Sequence, residues 1–354
     1  MGVPAPDTPV RRRVPVARIL VALGVVVLGV VLARRLDLDR LLAAFRHADW
    51  RLVALAALTN LTLNTVARVG RWKALLRPLP RTGPGASFSE LTAIYFASQA
   101  ASNLLPARAG EALRVVQLHR RHGYPIPGLV MVQLVETLVG AVTLGVLTLP
   151  MVPLGKAPAS LSVAIFIFAL AGPVGMVALL VLARFVPAEM KSLPAPGGSG
   201  RIPRVVAWVR ALILRLLEAV RLLGSLRVWA PSLAWSLLSD FTDVLMIGLV
   251  LSAVGVSLPP ASWVLIYAGI NLVLLAPTTP AQIGVLEVGA VAALGAFGVD
   301  GNAALAFALL YHAAHVVPPT LVGGILLPRL DTRTASPGSE TSSIIASPCR
   351  GAKG

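Results

Sequence analysis

The sequence predicts an all-α integral membrane protein, with about six spanning helices and two re-entrant broken hairpins in two inverted repeats. Three observations carry this expectation. First, hydrophobic residues make up 56% of the 354 residues and charged ones 13%. Several apolar runs approach the roughly 20 residues that cross a bilayer. Second, arginine gathers in alternate connecting segments, as it does in cytoplasmic loops. Third, two matching breaks interrupt the apolar sequence: Asn103-Leu-Leu-Pro106-Ala-Arg108-Ala-Gly110-Glu111-Ala-Leu-Arg114, and Pro277-Thr-Thr-Pro280-Ala-Gln282-Ile-Gly284-Val-Leu-Glu287. Both read Pro-Ala-x-x-Gly with a carboxylate close behind, and Pro106 and Pro280 lie 174 positions apart. Helix breakers and ionisable groups at membrane depth are costly unless they are buried in protein or line a cavity.

The elements follow in order. Residues 1–16 form a basic N-terminus with Arg11, Arg12 and Arg13. Ala17–Ala33 is long for a signal peptide and lacks an evident small-x-small cleavage site, so it reads as a retained first span. Span two is about Arg51–Arg68, and the first hairpin runs from Phe88 through Pro106 to about Arg121. Spans three and four are about Gly128–Leu149 and Leu161–Phe185. Residues 187–229 form a cytoplasmic linker whose Val205–Trp229 part is a basic amphipathic helix on the inner leaflet. Span five is about Pro231–Val254, the second hairpin about Ser262–Val299, and span six about Asn302–Leu327. Residues 328–354 are a polar tail with the composition of a disordered segment. Eight full crossings are the alternative count.

Charge sets the orientation. Arg11–Arg13, the segment Arg68–Arg81, the linker after span four, and Arg329 with Arg333 face the cytoplasm, which places both termini inside. The segment holding Lys156 and the uncharged Gly255–Ala261 face out. The alternation closes only if the first hairpin enters and leaves from inside and the second from outside. Offsetting the chain by the distance between the breaks lays Gly128 on Asn302, so repeat one (about 17–149) and repeat two (about 161–327) have opposite topology. Inverted repeats with discontinuous segments near the midplane are a transporter plan.

Composition also excludes classes. A net charge of +16 in a soluble protein points to nucleic acid, but no soluble basic domain remains to carry it, so the charge is assigned to anionic lipid of the inner leaflet. The single cysteine, Cys349, permits neither an intramolecular disulfide nor a thiolate metal site. No Gly-x-Ser-x-Gly, His-Glu-x-x-His or P-loop occurs, so no catalytic role and no cofactor are expected. His312 and His315 lack an evident third ligand, so helix–helix hydrogen bonding, not metal, is expected of them.

Pro106 suits the first turn of a helix, whose N-terminal amides are an anion site. Arg108 and Arg114 lie six residues apart, roughly 9 Å along a helix axis. Glu111 is three residues from each and within helical reach of both. Arg108, Arg114 and Asn103 are therefore the expected phosphate-binding residues, with Pro106 and Gly110 forming the break; the bland alternative is an internally neutralised helix at the interface. Pro280 and Gly284 form the second break, and Gln282 and Glu287 offer polar groups there. Glu287 has three readings: a proton-coupling carboxylate, a partner of Arg108 or Arg114 across the pseudo-twofold, or a protonated, hydrogen-bonded group. The second is favoured. Glu136, Asp240 and Asp243 lie inside spans and should face the bundle interior.

At these motifs the chain resembles the lysylphosphatidylglycerol synthase transmembrane-region family, also called flippase-like domain proteins. The resemblance rests on Arg68-x-x-Arg71-Trp72-Lys73-x-Leu-Leu-Arg77, Asn103 to Arg114, Gly123, Glu136, and Pro280-x-x-x-Gly284-x-x-Glu287, and it covers about Ala17–Leu327. Ala281 and Gln282 stand where the family pattern usually has Gly-Gly, and Leu286 where a basic residue is common. The resemblance implies a bacterial-type membrane protein that moves lipid between leaflets, here without a soluble synthase domain. The expected function is thus a lipid flippase of the plasma membrane. It passes a phospholipid or other lipid-linked phosphate through a polar cavity between the two hairpins, with Glu111, Glu136, Gln282 and Glu287 compensating charge or coupling. The alternative is a non-transporting membrane partner or scaffold of a lipid- or glycan-modifying enzyme. A homo-oligomer or an enzyme partner fits either reading, and nucleic acid fits neither.

Overall fold

The computed structural model describes residues 38–105, 109–154, 159–185, 226–274 and 279–332. The expected span one, Pro106, Ala107, Arg108, Lys156, most of the linker 187–229 and the end of the tail lie outside the described residues. All regular structure among the described residues is helical. The α-helices are α1 Leu38–His47, α2 Trp50–Thr59, α3 Thr65–Leu76, α4 Phe88–Leu104, α5 Ala109–His122, α6 Ile126–Thr148, α7 Ala159–Phe185, α8 Leu226–Ala253, α9 Pro260–Val273, α10 Val285–Gly295 and α11 Gly301–Thr332.

Four stretches are long and apolar enough to cross a bilayer: Trp50–Leu76, Ile126–Met151, Arg227–Ala253 and Gly301–Leu327. They correspond to the expected spans two, three, five and six. Helix α7 contains the expected span four, with an apolar stretch at Ser162–Ala178. Its Val163, Phe166, Ile167, Leu170, Val174, Val177 and Val181 are exposed at helical spacing. An exposed apolar stripe of this kind is a surface for lipid.

Three boundaries differ from the sequence expectation. Span two does not stop near Arg68: a π segment, Asn60–Asn64, joins α2 to α3, and the helix continues to Leu76. Arg68, Arg71 and Lys73 are therefore helical, not part of a cytoplasmic loop. Burial of Val69, Trp72, Leu75 and Leu76 holds this extension in place. At the other end of the linker, Arg227 and Trp229 belong to α8, which begins before the expected Pro231. Pro231 then lies inside α8, one turn past its first described residues. Helix α11 runs on to Thr332, into the expected tail.

The chain divides into two compact units. One comprises 1–60, 141–171 and 240–315; the other comprises 61–140, 172–239 and 316–354. The first has its core on Ile247, Leu251, Leu265, Ile266, Leu294 and Phe307, and holds the second hairpin, α9 and α10. The second has its core on Leu75, Leu76, Leu91, Ile94, Leu118 and Val132, and holds the first hairpin, α4 and α5.

The first hairpin is defined at both ends by local chemistry. Ser87 caps α4: its hydroxyl accepts the Glu90 amide at 3.2 Å, while the Glu90 carboxylate accepts the Ser87 amide at 2.9 Å. Helix α5 ends in His119, Arg120, Arg121 and His122, a basic last turn that complements the helix dipole. Gly123 then takes φ +67° and stops the helix. The two arms approach so closely at Gly110 that a Cβ there would collide with the Ser98 carbonyl and the Ser102 hydroxyl.

In the second hairpin the chain turns through a short 3-10 segment, Pro280–Gln282. Ala281 and Gln282 take φ of 52° and 63°, left-handed values that disfavour any side chain, and Gly284 follows at 84°. This gives a physical reason for the usual Gly-Gly at these two positions. A Cβ in this region costs on the order of 1–2 kcal/mol. Helix α10 begins at Val285 because the Glu287 carboxylate reaches back to the Gly284 amide at 2.7 Å.

Two substitutions test these turns. Gly110→Ala should lower stability by about 1–3 kcal/mol through overpacking against backbone, read as a lower melting temperature of the purified protein in detergent. Ala281→Gly should raise it by up to about 1 kcal/mol, since relief of the left-handed strain exceeds the entropy cost of glycine.

Candidate functional site

Two arginines and one carboxylate meet in the interior of the second unit. Glu136, on α6, accepts from Arg71 of α3 at 2.7 Å through Oε1 and from Arg114 of α5 at 3.3 Å through Oε2. The side chains of Arg71, Arg114 and Glu136 are 9%, 13% and 16% exposed, so the triad is largely withdrawn from water. Arg71 also donates to Ser236 Oγ of α8 at 3.1 Å. The Arg114 guanidinium stacks over Trp72 at 4.9 Å and Tyr95 at 5.8 Å from the ring centroids. Aromatic faces favour a cation more strongly when it is desolvated.

The local sequence explains the convergence. Burial of Val69, Trp72, Leu75 and Leu76 fixes the rotation of α3, which leaves Arg71 turned inward beside them. The close approach at Gly110 sets α5 against α4, and one turn on it brings Arg114 to Tyr95. Glu136 lies between buried Val135 and Val139 on α6.

The charge is unbalanced. Two guanidinium groups face one carboxylate, so the triad carries one positive charge in excess. Arg68, which donates to Asn64 Oδ1 on its own helix, adds to the positive field at Glu136. Among the described residues, the Nε–H groups of Arg71 and Arg114 are buried without a hydrogen-bond partner. Buried N–H groups are seldom left unpaired, and charged ones least of all. The arrangement supplies guanidinium donors, held in fixed planes, for a further anion.

Of the residues expected to bind phosphate, Arg114 and Glu136 lie together here. Arg108 and Pro106 lie outside the described residues. Asn103, at the end of α4, donates to Thr320 of α11 at 2.7 Å. Glu111 is exposed on α5, and Gln133 of α6 donates to its carbonyl oxygen at 3.0 Å. Arg114 donates to the Glu136 carboxylate, 22 residues on. Arg71, Trp72, Tyr95 and Ser236 were not among the expected site residues. The one available signal was the Arg-x-x-Arg-Trp run, which positive charge near a span end assigned to a loop.

The remaining polar residues lie in the other unit. Glu287 pairs with His312 of α11. Tyr311 stacks between Phe307 and His315 at 5.6 and 5.9 Å. Asn60, in the π segment, donates to the His315 carbonyl at 2.8 Å. Buried Asp240 accepts from Thr143 at 2.6 Å and from Tyr267 at 3.0 Å, and the Tyr267 hydroxyl is also 3.2 Å from Asp243. The side chain of Gln282 is half-buried at the strained turn, and Pro280 begins that turn. No group of three or more His, Cys, Asp or Glu residues with metal-binding geometry occurs among the described residues.

The triad makes a stability prediction. Glu136→Gln leaves two buried guanidinium groups without a counter-charge and should cost about 3–5 kcal/mol. Arg114→Met leaves the Arg71–Glu136 pair intact and should cost distinctly less. Thermal unfolding of the two purified variants in the same detergent measures the order.

No curated protein matches the chain. A family model does: Lysylphosphatidylglycerol synthase TM region, over residues 16–323 of 354. That span includes both breaks, the triad, and, among the described residues, three of the four helices long and apolar enough to cross a membrane and most of the fourth, Gly301–Leu327. The chain therefore belongs to the lysylphosphatidylglycerol synthase TM region family, a membrane protein with a lipid-related role.

Proposed function

We propose that this protein moves a phosphate-bearing lipid between the leaflets of the plasma membrane, and that the headgroup phosphate passes the Arg71–Glu136–Arg114 triad. The observation that carries the reading is the buried excess of positive charge with two unpartnered Nε–H groups. A phosphate oxygen is the acceptor such donors suit, since guanidinium groups bind phosphate in a planar, two-pronged geometry.

Glu136 occupies the arginines when no lipid is present. An arriving phosphate competes for the same guanidinium edges, so one anion replaces another. The arginines need not be bare at any stage, which avoids the cost of an uncompensated charge at membrane depth, at least about 2.5–3.5 kcal/mol. Trp72 and Tyr95 hold the flat face of Arg114 and keep its edge available. Acyl chains remain in the bilayer throughout, and no covalent step is required. The two hairpins, one in each unit, supply the discontinuous segments on which alternating access is built. In the second repeat the Glu287–His312 pair is the polar contact suited to coupling.

Reconstitution in vesicles with a fluorescently labelled phospholipid tests the proposal, with outer-leaflet quenching as the readout. Arg71→Gln and Arg114→Gln should each slow lipid movement at least about tenfold, the effect of losing one charged hydrogen-bonding contact. Arg114→Lys should retain part of the rate. Wild-type rates in both glutamine variants, with insertion verified by protease protection, would refute the assignment.

A further inference from the structure

We infer that the second unit holds a separate binding pocket for an anionic phospholipid of the adjacent leaflet, formed by Lys73, Arg77, Arg81 and Arg227 over an apolar floor. The cavity measures about 530 Å³ and is lined by the ends of α3 and α4, the segment between them, and the start of α8. Each of the four cations is exposed, and no carboxylate lines the cavity among the described residues. Its floor includes Phe88, Val228, Pro231 and Trp235.

The position selects the ligand. Trp50–Leu76 ends here and Arg227–Ala253 begins here, so the pocket lies at one end of two spanning helices, where lipid headgroups sit. Cations at that depth attract anionic headgroups, and a contiguous set of four acts together. An apolar floor beneath the cations suits acyl chain and glycerol, which a free anion lacks. Inorganic phosphate therefore meets half of the chemistry offered, and an anionic phospholipid meets all of it.

The pocket is distinct from the buried triad and does not rest on the transport reading. Gly70 and Trp235 line it, while of the residues after them Arg71 belongs to the triad and Ser236 accepts a hydrogen bond from it. Trp235 lies so close to Gly70 that a Cβ there would come within 2.6 Å of the indole ring. Any side chain at position 70 must displace Trp235 and reshape the floor.

A photoreactive phosphatidylglycerol, carried in vesicles that contain the full chain, tests the inference, with adducts mapped by mass spectrometry. Labelling should fall within residues 73–91 and 227–235. It should drop at least about tenfold in Arg77→Gln/Arg81→Gln, whose exposed side chains can be changed without disturbing the core. Gly70→Ala should also reduce it. Arg114→Met should leave it unchanged, which separates this site from the triad. A photoreactive phosphatidylcholine with the same chains should label at least about tenfold less, and excess inorganic phosphate should not compete. Equal labelling by the two lipids, or full labelling of the double variant, would overturn the pocket. Competition by inorganic phosphate at equal concentration would overturn the lipid assignment in favour of a free anion.

Discussion

A single carboxylate decides how the second unit is put together. Glu136 sits on a helix long and apolar enough to cross a bilayer, where an unpaired charge is unaffordable. It is held by Arg71 from one helix and Arg114 from another, 65 and 22 residues away in sequence. The three helices that carry them are thereby bound at one point by charge-assisted hydrogen bonds. In a membrane, where apolar contact between helices gains little over contact with lipid, polar anchors and close backbone approach set the packing. The Gly110 approach between α4 and α5 is the other half of that arrangement, because it brings Arg114 inward.

The two hairpins solve one problem with different materials. In the first, the arms close at Gly110 and charged groups are plentiful. In the second, the turn runs through left-handed backbone at Ala281 and Gln282, and the polar content reduces to a glutamate held by a histidine and a backbone amide. Glu287 is thus partly a structural residue, starting α10. The inequality of the breaks, visible in the residue types, becomes in three dimensions an inequality of chemistry: one hairpin contributes an arginine to a buried triad, and the other carries a glutamate paired with a histidine.

Much of the helical plan was legible. The apolar runs marked the spans, Gly123 marked the end of α5, and the Pro-Ala-x-x-Gly repeats marked the two turns. The ends of spans were less legible for a definite reason. Arginine near the end of an apolar run reads as a loop under the positive-inside pattern, so Arg68, Arg71 and Lys73 were placed beyond span two. One of the three points into the protein, and helical hydrogen bonding continues through all of them to Leu76. Lys73, one face away, is exposed and joins the cationic pocket. The same short run therefore serves two different environments, a distinction that depends on rotation about a helix axis and not on composition.

Composition and spacing alone determined that this is a helical membrane protein, where its chain breaks, and that arginine gathers at the first break. Only the tertiary structure decided which carboxylate those arginines meet. Spacing along α5 puts Glu111 within reach, while Glu136, on another helix, meets Arg114 in a largely buried pair, where attraction between charges grows as water is removed. In soluble helices the apolar stripe shows which face is inward. In a helix such as α6, apolar on nearly every face, that signal vanishes, and the inward face is set by which neighbours arrive to satisfy the charge it carries.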